Sequence, residues 1–378
     1  MLIKGAKIYR NRMRTFMPGD LLIQDGLIRK VGKIENADGE VYDAQGAYVV
    51  PGLLDVHTHG RVGLDFVSAS PWDYGTMVSD YARHGVTTVM PTLATAPLAQ
   101  MLRATDALNR FSPRSGEASL CGVHWEGRYM NPIKRGAHNP ELLAPPLASE
   151  LDAQELRACR ALHITAAFEM DSDGSFARAA LALGATLGLG HTTATYAQAK
   201  ALEARGITSY THLFNAMPSL HHRDGGAVCA ALEGDGICEL ICDGIHISPE
   251  MIRLAYRIKG PQGISLVSDS IEAAGCAEGI YNIAGAPATV KDGIARTPDG
   301  VLAGSTLSLD RAVNNLMDFC GIPLTEAILC ATETPAKQMG VYESCGSIEP
   351  GKRADLLFLR TDARLEIDRV MLRGELLP

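Results

Sequence analysis

The chain has no run of about twenty apolar residues, the length a helix needs to span a bilayer. Its opening residues, MLIKGAKIYRNRMRTF, have no apolar core followed by a small-residue cleavage site. It has no Cys-x-x-Cys pair, and its 9 cysteines are odd in number and scattered. A disulfide framework or a cysteine-based zinc site therefore does not fit, and the thiols read as small buried hydrophobes. Positive charge is short too, with 35 Lys and Arg against 43 Asp and Glu, a net charge of −8. That balance argues against a basic face for nucleic acid, and it obliges any anionic substrate to find a local cationic pocket. The expectation is a reduced, cytoplasmic, soluble protein without a membrane or nucleic-acid partner.

What is present is an ordinary globular composition, 46% hydrophobic and 21% charged, in 378 residues, enough for one large domain and a smaller one. The first fifty or so residues carry short apolar runs split by turns, and LIQDGLIR sets an Asp-Gly turn between two of them, a hairpin signal. The last stretch, KRADLLFLR and RLEIDRVMLRGELL, has the same character. Neither end can bury a core alone, so residues 1–51 and 339–378 are expected to build one small β-sandwich domain together. Between them, residues 52–338 alternate strand, loop and helix. Eight candidate strands, GLLDVHTH, TTVMPTLAT, LCGVHWEG, ITAAFEMD, TLGLGHTTA, SYTHLFNA, ELICDGIHI and ISLVSDSIE, predict a (β/α)8 TIM barrel. Helical stretches such as SPWDYGTMVSDYARHG and DAQELRACRAL lie between them. The Gly-rich segment near 272–303 reads as an inserted β-hairpin bordering the site.

The polar residues of these strands fall in one place. His57, His59, Glu126, His191, His212, His246 and Asp269 all sit at or just past the C-terminal end of a candidate strand, the rim where a barrel gathers its active site. In PGLLDVHTHG the strand period of two points His57 and His59 to the same face, a ready chelate for a divalent metal. Glu126, His191 and His212 form a His₂Glu set of the kind that holds catalytic zinc and leaves a position for water. Taken singly, each histidine could be a hydrogen-bonded core residue and Glu126 a surface carboxylate; it is the shared rim that favours ligation. Asp269 could cap a helix, or it could accept the proton of an attacking water beside a metal and pass it to a leaving nitrogen.

PGLLDVHTHG and GSIEPGKRADLLFL resemble the opening and closing signatures of the amidohydrolase superfamily. HWEGRYMNPIKRGAHNPELL, GHTTATYAQA, THLFNAMPSLHHRDGG, DGIHISPEMIRLA and VLAGSTLSLDRAVNN narrow the likeness to the N-acetylglucosamine-6-phosphate deacetylase family. The resemblance implies hydrolysis of the N-acetyl group of an amino-sugar phosphate, giving acetate and the free amine. It implies Glu126, His191 and His212 as metal ligands, Asp269 as acid and base, and His138 against the acetamide. It also implies a substrate site of His246, the backbone of Asn215 and Ala216, and His222 and Arg223, the arginine reaching the phosphate from a neighbouring subunit of a homodimer or homotetramer. Many binuclear amidohydrolases bridge their metals with a carbamylated lysine on the fourth strand. Here no lysine occurs between Lys134 and Lys200, so Glu126 is the natural bridge. Some family members lack the HxH pair; with His57 and His59 present, one or two metals per subunit, zinc or iron, are expected. Arg128 stands where the family has proline, Gly225 where proline is common, and SDS where TDA is usual. Arg128 in particular suggests an extra cation near the metal face. Open alternatives are the galactosamine epimer, a deacylase for an unphosphorylated substrate, and a silent barrel kept for assembly.

Overall fold

The computed structural model describes residues 1–35 and 39–377. Among these, eight parallel strands run Leu53–Thr58, Val86–Ala94, Val123–Glu126, Leu162–Ala166, Thr186–Leu189, Ser209–Tyr210, Ile237–Ile241 and Ile264–Val267. Each pairs with the next in parallel. The eighth returns to the first at its C-terminal end, where Asp269 N–H donates to the His57 carbonyl at 2.9 Å and Ser268 N–H to Asp55 Oδ1 at 3.2 Å. This is the expected (β/α)8 barrel. The first two strands are buried at every residue, as a parallel sheet covered by helices requires.

The surrounding helices form where apolar residues recur at helical spacing. In Leu309–Cys320 the buried residues are Leu309, Ala312, Val313, Leu316 and Met317, one stripe facing the barrel. Tyr196–Glu203 starts at a capping box, with Thr195 accepting from Gln198 N–H and the Gln198 side chain reaching back to Thr195. The helix expected over DAQELRACRAL is a single turn, Gln154–Arg157; the chain must turn after it to enter the fourth strand at Leu162.

Strands from both ends of the chain form a second sheet, mostly antiparallel, with Tyr48–Pro51 bonded to Leu356–Leu359. Its strand Thr15–Gln24 turns into Leu27–Gly32 through Asp25 and Gly26, at φ 52° and 73°, the paired positive angles of a tight hairpin turn. The sandwich is one continuous sheet curled on itself, since Leu27 bridges back to Arg353 and Ala354 N–H donates to the Gly26 carbonyl at 2.8 Å. Ile3, Ile8, Leu21, Val49, Leu356 and Phe358 fill its interior, separate from the barrel core. The insertion is larger than a hairpin. Gly279–Ile283, Ala286–Lys291 and Ile294–Arg296 make a three-stranded antiparallel sheet, because Ala284-Gly285 and Asp292-Gly293 both supply positive-φ turns.

Candidate metal centre and substrate pocket

The barrel's C-terminal rim carries two buried ligand sets, His57, His59 and Asp269, and Glu126, His191 and His212. Glu126 is the last residue of the third strand and divides its oxygens between them. Oε1 lies 3.1 Å from His191 Nε2 and 2.9 Å from His212 Nε2. Oε2 lies 3.1 Å from His59 Nε2 and 3.4 Å from His57 Nε2. Asp269 Oδ1 closes the second set, 3.2 Å from His59 Nε2 and 3.6 Å from His57 Nε2. The strand period explains the His57–His59 pair. His191, His212 and Asp269 instead each follow a strand by two residues, and their backbones turn into the left-handed region at φ 48°, 33° and 48°. Such angles cost about 1–3 kcal/mol each and persist where surrounding structure enforces them. They aim three side chains back over the barrel mouth.

These donors fit a divalent cation. His57 Nε2 is fully buried and has no hydrogen-bond partner among the described residues, although it faces two carboxylates. His191 Nε2 and His212 Nε2 sit 3.0 Å apart against one oxygen, a convergence of three donor atoms that suits a small cation better than a hydrogen bond. The rings are turned by outer contacts: His191 Nδ1 donates to the Lys134 carbonyl at 2.8 Å, and His57 Nδ1 donates to Glu239 Oε2 at 3.0 Å. Without a cation, the cluster is held by protons. Burial lowers His57 and His59, but Glu126 and Asp269 outweigh it, raising His57 well above its ordinary range and His59 to about 9. Burial raises Glu126 and Asp269, yet the histidines hold Glu126 well below the usual carboxylate range and Asp269 at about 2.

Above the cluster lies a cavity of about 510 Å³, lined by His59, Glu126, His138, His191, His212, His246 and Asp269 among others. His57 lies beneath it. Asn215 and Ala216 line it from the loop after the sixth strand, and the insertion adds Asn282, Ile283 and Ala284. Another wall comes from residues 132–138 of the NPIKRGAHNPEL loop, which folds as two short 3-10 turns, Pro132–Lys134 and Pro140–Leu142, each capped by the asparagine before its proline. Between them His138 accepts from Thr95 N–H at Nδ1, 3.4 Å, with Thr95 Oγ1 at 2.9 Å. Nδ1 is thus the acceptor and Nε2 carries the proton, while burial pushes the ring down to about 3 and keeps it neutral.

Not every expected residue reaches the cavity. His222 and Arg223 are exposed and absent from its lining, and Arg223 Nη1 donates to His222 Nε2 at 2.7 Å. Arg128 is no cation on the metal face. Its guanidinium pairs with Glu150, at 3.2 and 3.3 Å, and Glu150 also accepts from Tyr129 Oη at 2.8 Å, away from the cavity. Residues the sequence reading did not single out are present instead: Lys134 and Arg135 are the lining cations, and Glu239 holds His57 from behind. Lys134 and Arg135 stand four and three residues before His138, and Glu239 is a lone carboxylate inside the apolar strand ICELI, a signal that could have found it.

Known proteins share this architecture. Residues 48–377 match the Amidohydrolase family profile. The N-acetylgalactosamine-6-phosphate deacetylase of Escherichia coli O157:H7 is 34% identical over 359 residues, covering 94% of each chain. The N-acetylglucosamine-6-phosphate deacetylase of Vibrio furnissii is 34% identical over 338 residues, covering 87% of this chain and 82% of its own. A mutant N-acetyl-D-glucosamine-6-phosphate deacetylase of Mycobacterium smegmatis, solved in complex with N-acetyl-D-glucosamine-6-phosphate, superposes with a TM-score of 0.88 at 31% identity, over 100% of this chain and 98% of that one. Full-length likeness in both sequence and backbone, on top of a rim of paired histidines and carboxylates, assigns the lineage: the chain belongs to the N-acetylglucosamine-6-phosphate deacetylase family of the amidohydrolase superfamily.

Proposed function

We propose that the protein hydrolyses the N-acetyl group of N-acetyl-D-glucosamine 6-phosphate to glucosamine 6-phosphate and acetate, in cytoplasmic amino-sugar catabolism. The observation that carries this reading is Glu126 shared between two histidine pairs with Asp269 beside it, on the floor of a cavity of about 510 Å³. Glu126, His191 and His212 would hold one cation and His57, His59 and Asp269, with the other oxygen of Glu126, a second. A divalent cation there, zinc or iron, supplies a Lewis acid that polarises the acetyl carbonyl and acidifies water. Asp269 takes the proton of the water that adds to the acetyl carbon and hands it to the sugar nitrogen as the C–N bond breaks. His138 donates its Nε2–H to the acetyl oxygen as negative charge grows there, its neutral tautomer held by Thr95. Burial of His138 and Glu126 keeps bulk water from competing for these charges.

Lys134 and Arg135 supply the positive charge that a phosphate needs in a chain of net charge −8, and His246 adds a ring nitrogen beside them. Asp243 binds His246 Nδ1 at 2.7 Å and fixes that ring. His222 and Arg223, exposed in the single chain, would serve the neighbouring subunit's site in a homodimer or homotetramer. The division at residues 1–51, 52–338 and 339–378 separates the small sheet from this machinery. The galactosamine epimer is a second reading, favoured by the Escherichia coli relative. The pairing of Arg128 with Glu150 removes the reason for an unphosphorylated substrate. The test is acetate release by metal-stripped protein resupplied with single metals, on both 6-phosphorylated epimers and the dephosphorylated sugar. Metal-dependent turnover of the glucosamine compound above the others is expected; no turnover of any of them despite bound metal would overturn the reading.

A further inference from the structure

Behind the cavity, inside the barrel, stands a carboxylate that the reaction does not touch. Glu239, in the middle of the seventh strand, has no exposed surface. A buried anion is costly unless each oxygen has a partner, and here both do. Oε2 accepts from His57 Nδ1 at 3.0 Å and from the backbone N–H of His212 at 3.3 Å. Oε1 accepts from Gln338 Nε2 at 2.8 Å, from the helix Glu333–Gln338 that follows the eighth unit. One oxygen therefore touches a residue from each ligand set, and the other ties the carboxylate to a helix outside the strand ring.

From this geometry we infer that Glu239 is a positioning residue for the metal centre, which turns the His57 ring so that Nε2 faces Glu126 and Asp269. The inference rests on the two-cation reading above. With its proton donated from Nδ1 to Glu239, His57 presents a lone pair at Nε2, and the anion behind the ring makes that nitrogen a stronger donor. The contact with His212 N–H braces a residue whose backbone sits at φ 33°, so the same carboxylate steadies the other set. Its principal load is still His57, because only there does it meet a ligand side chain. Gln338, donating to Oε1, keeps Glu239 from rotating away. Removing the carboxylate should weaken the cation held by His57, His59 and Asp269 far more than the one held by Glu126, His191 and His212.

The test is calorimetric titration of metal-stripped wild type, Glu239→Leu and Glu239→Gln with Zn²⁺, with thermal melting in parallel. Wild type should take up two equivalents. Glu239→Leu should bind one of them within about threefold of wild type and the other about 10–100-fold more weakly, the range for loss of an outer partner of a ligand histidine. Glu239→Gln keeps an acceptor oxygen but loses the charge, so it should weaken the same equivalent by a smaller factor, about threefold or more. Should Glu239→Leu fail to fold, Glu239→Gln decides, and wild-type binding of both equivalents by it overturns the inference. Equal weakening of both equivalents in a folded Glu239→Leu also overturns it, since a general loss of structure would act that way. A wild type that takes up one equivalent sinks the inference together with the two-cation reading, and leaves the deacetylase reading to be decided by acetate release.

Discussion

At Asp269 a carboxylate sits on a left-handed backbone, at φ 48°, with its amide bonded to the His57 carbonyl and its side chain against His59. Asparagine tolerates the same backbone angle and nearly the same volume, so Asp269→Asn removes the proton acceptor while keeping an oxygen toward His57 and His59. We expect kcat to fall about 10²–10⁴-fold with KM changed little, in protein that metal analysis shows to be as fully loaded as wild type; full activity would remove Asp269 from the chemistry. Several residue identities were legible in the sequence because a barrel strand announces its end. His57, Glu126, His191, His212 and Asp269 each stand where an apolar run stops. Arg128 was misread because its charge suggested the cavity, whereas its partner, Glu150, comes from a short turn twenty-two residues away in the chain.

Among the elements, the third strand and the residue after it carry the tightest constraint. A Cβ on Gly127 would lie 2.4 Å from Thr95 N and 2.6 Å from Thr95 Cα, both backbone atoms that cannot swing aside. Gly127→Ala must therefore push the third strand away from the second, moving Glu126 and the Thr95 that holds His138. A loss of about 1–3 kcal/mol of stability and a weaker hold on metal are expected, read by denaturant unfolding and metal titration; an unchanged midpoint would show that the loop gives way freely. The eight strands were legible from apolar runs bounded by turn residues. The insertion was seen as a Gly-rich hairpin, but its third strand depended on a second turn at Asp292-Gly293.

For the whole molecule, the protons that hold the cluster in metal-stripped protein set a pH dependence. His59 has its value raised from 6.5 to about 9, so its contribution is complete below about pH 6.5 and is lost as pH rises through 9. Metal-stripped protein should thus lose stability on the order of 3 kcal/mol between those values, seen as a falling melting temperature. Asp269 is shifted the other way, from 3.8 to about 2, so a second decline is expected below about pH 4. Loading with metal replaces the histidine protons and should abolish the alkaline decline; identical profiles with and without metal would refute the ligand assignment. Arg223, exposed here, is expected to act only in an assembled particle. Arg223→Ala should raise KM for the phosphorylated sugar about tenfold or more without affecting a dephosphorylated one, in protein whose sedimentation shows more than one subunit.

The chain's own order of residues determined the barrel, the small sheet from its two ends, and the set of donors on one rim. These follow from local rules: the period of a strand, the apolar stripe of a helix, the turn preferences of Asp-Gly, and the place where a strand must stop. Only the closed structure decided which donors meet. Glu126 divides between histidines 65 and 86 residues ahead of it and a pair that precedes it, and Glu239 finds His57 across 182 residues. No local pattern specifies such contacts, because each depends on how far the whole ring of strands has curved when the eighth meets the first.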